Sequence, residues 1–213
     1  SGVFNTIMLK DIIERHTIRN IPFIRNLVVF MADTIGKLNS ANSIVKYMRS
    51  QNVEVSTNIV LNYMSYFCEA YLTHKVDRYD IHGKKLLKSN SKCYFGDIGL
   101  RNFIAGGERD TDIEKVIENV VYLHLLHLGY TVKVGQLRAG EIDFVCTKPG
   151  KKAYVQVAYL IANQETKERE FGNLCLIPDN YPKYVISASP LLKSSDYKGV
   201  THLHLRQFLT KGI

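Results

Sequence analysis

Three side chains able to hold a metal or handle a phosphate fall in the second half of the chain. Glu118 lies in a run with helical spacing. Asp143 stands between Ile142 and Phe144, and Gln156 stands in Tyr154-Val155-Gln156-Val157-Ala158. Apolar neighbours on both sides of Asp143 and Gln156 predict strands covered on both faces. A carboxylate in such a place needs a partner or a metal, because an isolated buried charge is too costly. Two carboxylates from neighbouring elements, completed by an amide oxygen, can hold Mg²⁺ beside a phosphate. Glu118, Asp143 and Gln156 are therefore the candidate catalytic residues, with Asp143 and Glu118 as the candidate metal ligands.

These residues need a helix and a sheet to bring them together. After Asp112, Ile113, Val116, Ile117, Val120 and Val121 recur at helical spacing, and Gly129 ends the run. Strand candidates follow at residues 130–134, 141–146 and 153–160, with Pro149-Gly150 as the turn between the last two. A charged helix over 164–174, a strand over 184–187 and a closing strand or short helix over 203–209 complete an α-β-β-β-α-β order. The expected class is α/β, with helices packed on a mixed sheet.

The first half reads differently. Two helices, broken at Arg19-Asn20-Ile21-Pro22, the first of them spanning residues 6–16, precede a helix-turn-helix pattern. Ser40 or Asn42 caps a helix through Met48, and Ser56 caps a longer one through Ala70. Strands at 71–76 and 92–95, turning near Gly83, then make a winged-helix layout. The predicted boundary lies near residue 105, giving a helical and winged-helix domain over 1–104 and an α/β domain over 105–213.

Charge is concentrated in the first of these. Residues 1–104 hold 14 Lys/Arg against 8 Asp/Glu, and residues 105–213 hold 14 against 12. A basic surface attracts nucleic acid through counterion release. A DNA-reading helix would lie in the major groove, yet residues 56–70 contain no Lys or Arg. The predicted nucleic-acid contacts are instead Lys46 and Arg49 on the preceding helix and Lys75, Arg78, Lys84, Lys85 and Lys88 in the hairpin, where Tyr79 adds an aromatic ring. The competing expectation for this module is a protein-protein contact.

The order helix-Glu, Glu-Ile-Asp-Phe, Val-Gln-Val-Ala resembles the PD-(D/E)XK nuclease superfamily. Phe95-Gly96-Asp97-Ile98-Gly99-Leu100-Arg101-Asn102, Ile117-Glu118-Asn119 and Glu141-Ile142-Asp143-Phe144 more closely resemble the C-terminal region of a prokaryotic AAA-type ATPase family, domain of unknown function 4143. That resemblance covers nearly the whole chain. It implies a winged helix followed by a restriction-endonuclease-like domain, with an ATPase core in the same polypeptide as partner and ATP bound there. No G-x-x-x-x-G-K-[ST] phosphate loop occurs in this sequence, so ATP is not expected to bind here. The superfamily's third strand supplies Glu-x-Lys, where this chain has Gln156 and Ala158. Ala158 cannot steady a phosphate transition state, and Lys167 on the following helix is the one amine expected to replace the lysine. The resulting expectation is a DNA- or partner-binding region with an inactive nuclease-like site and no cofactor of its own. An Mg²⁺-dependent DNA nuclease and a structural module regulating the ATPase are the alternatives.

The remaining features set outer bounds. No stretch approaches the roughly 20 apolar residues that span a membrane, and no signal peptide is recognisable. Cys68, Cys93, Cys146 and Cys175 form no C-x-x-C pair, which points to free thiols and a cytoplasmic setting. Ser1-Gly2 reads as a cloning remnant or the edge of an excised fragment. His124 and His127, three apart on one helix, can in principle bind metal, but packing on an amphipathic helix is the commoner use.

Overall fold

The computed structural model describes residues 2–107, 109–138, 140–189 and 196–213. The chain is a mixed α/β protein of two units: Ser1–Val76 with Ser89–Asp110, and Asp77–Lys88 with Thr111–Ile213.

In unit 1 the helix starts are set by side-chain caps. Asn20 Oδ1 accepts from the Phe23 N–H at 3.1 Å and Pro22 occupies the first turn of α1 (Ile21–Asp33). Ser40 Oγ accepts from the Ser43 N–H to start α2 (Ala41–Ser50), and Ser56 Oγ from the Ile59 N–H to start α3 (Thr57–Glu69). Asp97 caps α4 (Ile98–Ile104) through the Leu100 N–H. Before α1, the expected single helix is a short α-helical turn, Gly2–Thr6, running into a π-helical stretch, Ile7–Glu14. This stretch buries Met8, Ile12 and Ile13. Phe23, Ile24, Leu27, Ile44, Met48, Val60, Phe67 and Phe95 fill the core. Arg101 is fully buried there. Its Nε and Nη2 donate to the Ala32 carbonyl at 2.9 and 2.8 Å, satisfying an orphan acceptor at the C-terminal end of α1.

The hairpin strands are β1 (Thr73–Asp80) and β2 (Lys85–Phe95), both longer than expected. The hairpin is not a free wing. Its tip, Asp77–Lys88, belongs to unit 2, where Arg78, Tyr79 and Asp80 pair in parallel with Val134, Gly135 and Gln136. The cause is apolar: Ile81 is buried in the core of unit 2 and Tyr79 packs against it.

Unit 2 begins with α5 (Ile113–His127), then β3 (Thr131–Gln136), β4 (Glu141–Lys148), β5 (Lys151–Ala158), α6 (Gln164–Cys175), β6 (Lys183–Ser187), β7 (Asp196–Tyr197), β8 (Val200–His204) and α7 (Leu205–Lys211). The sheet order is β2-β1-β3-β4-β5-β6-β8-β7. Strands β3, β4 and β5 pair antiparallel in sequence, whereas β5, β6 and β8 run parallel, with α6 as the crossover from β5 to β6. Phe144 meets Tyr122 of α5, while Ile142, Val145, Tyr154 and Val185 join Phe171 and Leu174 of α6 in the main cluster. Ile142 and Val145 share this cluster although they stand three apart, so β4 does not alternate regularly.

Candidate functional site

The irregularity lies at Asp143. Between the pairs Lys133↔Val145 and Gly135↔Ile142, β3 has one residue, Val134, and β4 has two, Asp143 and Phe144. This is a β-bulge, a device that re-aims side chains and bends a strand. It breaks the alternation that would otherwise fix Asp143 and Glu141 on one face. The backbone ladder between β4 and β5 runs from Lys148↔Lys151 to Phe144↔Val155. Beyond it, side chains join the strands. Asp143 Oδ2 accepts from the Val157 N–H at 3.0 Å, and Gln156 Oε1 accepts from the Asp143 N–H at 3.2 Å.

Gln156 also reaches the crossover helix. Its Nε2 donates to Glu170 Oε2 at 3.3 Å, and Glu170, 5% exposed, is held through Oε1 by the Arg169 guanidinium at 2.7 Å. The amide thus bridges a backbone donor and a carboxylate, a task that needs one acceptor and one donor on the same group. A glutamate at position 156 could do only half of it. Nothing in the sequence singles out Glu170 and Arg169, since α6 is charged throughout and gives no sign of which carboxylate turns inward.

Glu118, 2% exposed, sits on α5, and Lys115 Nζ donates to its Oε2 at 2.6 Å. The expected replacement for the missing strand lysine was Lys167. Its ammonium instead lies 4.8 Å from the Tyr197 ring and 6.0 Å from that of Phe171. The amine beside a candidate carboxylate is Lys115, and its i,i+3 spacing from Glu118 was a readable signal.

Asp143 Oδ2, Gln156 Oε1 and Glu118 Oε2 each face an N–H or ammonium donor. Among the described residues, no group of three or more His, Cys, Asp or Glu side chains is arranged to hold a metal. His124 packs edge-on against Phe208 and tilted to His127, and burial lowers its pKa.

The predicted nucleic-acid contacts divide between the units. In unit 1, Lys46 is exposed, Arg49 Nε lies 3.4 Å from Glu54, and Lys75 is exposed on β1. In unit 2, Lys84 and Lys85 are exposed at the hairpin turn, and Arg78 donates to Gln136. The side chain of Lys88 lies outside those described. Helix α3, the second helix of the helix-turn-helix pattern, exposes Ile59 and Leu61 at 42% and 49%. Among the described residues no helix is long and apolar enough to cross a membrane.

A mixed α/β protein with an internally satisfied carboxylate-amide cluster is the class these features define. The chain belongs to the family described as Domain of unknown function (DUF8612), whose profile matches residues 1–111. It is 36% identical over 187 residues to an uncharacterized protein of Haemophilus influenzae, covering 88% of this chain and 46% of that one. It is 29% identical over 168 residues to the uncharacterized protein MJ1544 of Methanocaldococcus jannaschii, covering 77% and 36%. The chain thus spans less than half the length of these curated relatives. The chain matches the crystal structure of protein VC1899 from Vibrio cholerae over 91% of its own length and 50% of that chain, at 13% identity and a TM-score of 0.29.

The resemblance to domain of unknown function 4143 of AAA-type ATPases is thereby overturned, and the ATPase core and ATP inferred from it as partner and cofactor lose their support. The matched family is a different one. The residues that carried the resemblance have a simpler use. Phe95, Arg101, Asn119, Ile142 and Phe144 are all fully buried, so they report packing.

Proposed function

We propose that this chain is a nucleic-acid-binding module in which a nuclease-like carboxylate cluster serves as a structural joint and cuts nothing. In this reading unit 1 is a winged-helix-type module and unit 2 a restriction-endonuclease-like sheet. The observation that carries it is the Gln156 bridge: the side chain that would complete a metal site is committed to the Asp143 N–H and to Glu170. The binding half of the reading rests on the formal charge of +8 and on the exposed Lys46, Lys84 and Lys85. Cations of this kind neutralise phosphates and release counterions, so affinity falls steeply with salt.

The test combines two measurements on the whole chain. Binding to plain duplex and single-stranded DNA is followed through a salt titration, and the same DNA forms are incubated with Mg²⁺ or Mn²⁺. Salt-sensitive binding without cleavage is expected. Cleavage lost in Asp143→Ala would overturn the structural role of the cluster. Absence of binding at low salt would overturn the nucleic-acid reading and turn attention to protein partners.

A further inference from the structure

Two cavities in unit 2, of about 290 and 330 Å³, are both lined by Tyr181 and Pro182. Lys151 and Lys152 line the first and Lys183 and Lys198 the second, and no described acidic side chain lines either. We propose that this ridge is a binding site for single-stranded nucleic acid: a base stacks on Tyr181, and the flanking phosphates meet Lys151 on one side and Lys198 on the other. The inference rests on the nucleic-acid-binding reading above and gives it a place and a substrate class.

The ridge is built rather than incidental. Tyr181 is 48% exposed, yet its backbone N–H donates to Asp179 Oδ1 at 3.3 Å. Asp179 Oδ2 in turn accepts from the Tyr154 hydroxyl at 2.5 Å and lies 3.6 Å from Lys152 Nζ. The Lys152 ammonium sits 4.9 Å from the Tyr181 ring centroid and 4.8 Å from that of the buried Tyr154. The ring is therefore backed by a cation and anchored at its backbone, in a residue that stays almost half open to solvent. Lys152 and Lys183 are both engaged by Asp179. Lys151 and Lys198 are the exposed cations, one in each cavity.

This division of labour favours an unpaired strand. An aromatic ring offers its face to a base only where that face is not already covered by a neighbouring base pair, and such stacking is tolerant of sequence. Duplex DNA presents phosphates but no free base face, and a peptide of acidic residues alone has no planar ring to place on the tyrosine.

The test is fluorescence anisotropy with a labelled oligothymidylate at low salt, using the 213-residue chain. Tyr181→Ala is expected to weaken binding about tenfold, and Tyr181→Phe to retain it, because the ring carries the contact. Lys151→Ala with Lys198→Ala is expected to reduce the log–log salt slope by about 1.4, the loss of two phosphate contacts on a single strand. Circular dichroism checks that each variant is folded. Unchanged affinity in Tyr181→Ala would overturn the inference, as would equal competition by a duplex of the same length or by polyglutamate. If the chain binds nucleic acid but is indifferent to these three residues, this site fails alone. If it binds none, the broader reading fails with it.

Discussion

Gln156 Oε1 accepts from the backbone N–H of Asp143 at 3.2 Å, across the point where the β4–β5 ladder gives way to side-chain bonds. A neutral amide is required there because Glu170 Oε2 stands 3.3 Å from the other end of the group. Gln156→Glu would set two carboxylates face to face and remove the donor between them. The expected loss is about 1–3 kcal/mol at neutral pH, from an unsatisfied and repelled acceptor. The like charge would raise the folded-state pKa of the introduced carboxyl above its unfolded value of about 4.3. The penalty is then full well above that folded pKa, shrinks as pH falls, and vanishes below the unfolded value, where both states are protonated. Urea melts of both proteins at neutral and acid pH should show the gap narrowing; a gap independent of pH would contradict the charge argument.

A second prediction concerns Lys115 and Glu118. The carboxylate is 2% exposed, whereas the ammonium-bearing side chain is 34% exposed, so solvent weakens the pair without removing it. Lys115→Ala is expected to cost about 1–2 kcal/mol, less than the loss of a fully buried partner. Glu118→Gln should reduce that cost, because no charge is then left behind. A double-mutant cycle measures the coupling, expected near about 1 kcal/mol. Additive effects would mean the contact contributes nothing of its own.

What could be read in the sequence was local. The caps at Ser40 and Ser56, the turn at Pro149-Gly150 and the strand containing Asp143 follow from short-range chemistry, and all appear in the structure. The bulge at Asp143 depends on how β4 pairs with β3, a relation between strands that no pattern within β4 encodes. The fate of the hairpin was hidden for the same reason: Tyr79 and Ile81 look like strand residues whether the strand is free or paired to β3. Lys115 was in plain view, three residues from Glu118, but the superfamily's strand lysine pointed to Lys167 instead. The ridge at Tyr181 joins residues from the β4–β5 turn and the approach to β6, which only the sheet brings together.

Arg101 provides a third test, in unit 1. Its guanidinium donates twice to the Ala32 carbonyl while fully buried. Arg101→Met would leave that carbonyl unsatisfied and is expected to cost about 2–4 kcal/mol. Arg101→Lys keeps the charge but cannot reproduce the planar fork, so it should recover only part of the loss. Thermal melts of the two variants rank the effects; parent-like stability in Arg101→Lys would show that geometry does not matter at this site.

The thiols offer a fourth prediction that needs no substitution. Burial raises the pKa of Cys93 to about 12 and also pushes the Cys146 thiol up, and both residues are buried. The thiolate is the reactive form, so neither should react with a disulfide reagent at neutral pH while the chain is folded. Cys175 is exposed and should react first. In denaturant all four should react at similar rates, and the difference between the two progress curves reports the protected thiols. Prompt reaction of Cys93 or Cys146 under native conditions would show that the β2 or β4 core opens far more readily than its packing implies.

The fifth prediction follows from the Tyr154 hydroxyl, which donates to Asp179 Oδ2 at 2.5 Å. Burial, then the hydrogen bond and charge of Asp179, hold this phenol far above its ordinary pKa. A raised phenol pKa means that the neutral form is favoured in the folded state. The associated stability is fully present below the unfolded value of about 10 and is lost as pH rises toward the folded one. The chain should therefore lose stability in the alkaline range, with Tyr154 ionising only on unfolding. Tyr154→Phe removes the titrating group, so its stability should fall less steeply with rising pH. It also removes the hydroxyl that donates to Asp179, at a cost of about 1 kcal/mol at neutral pH. Alkaline unfolding followed by ultraviolet difference absorbance distinguishes the two effects: a curve for Tyr154→Phe parallel to that of the parent would show that another group governs the alkaline limb.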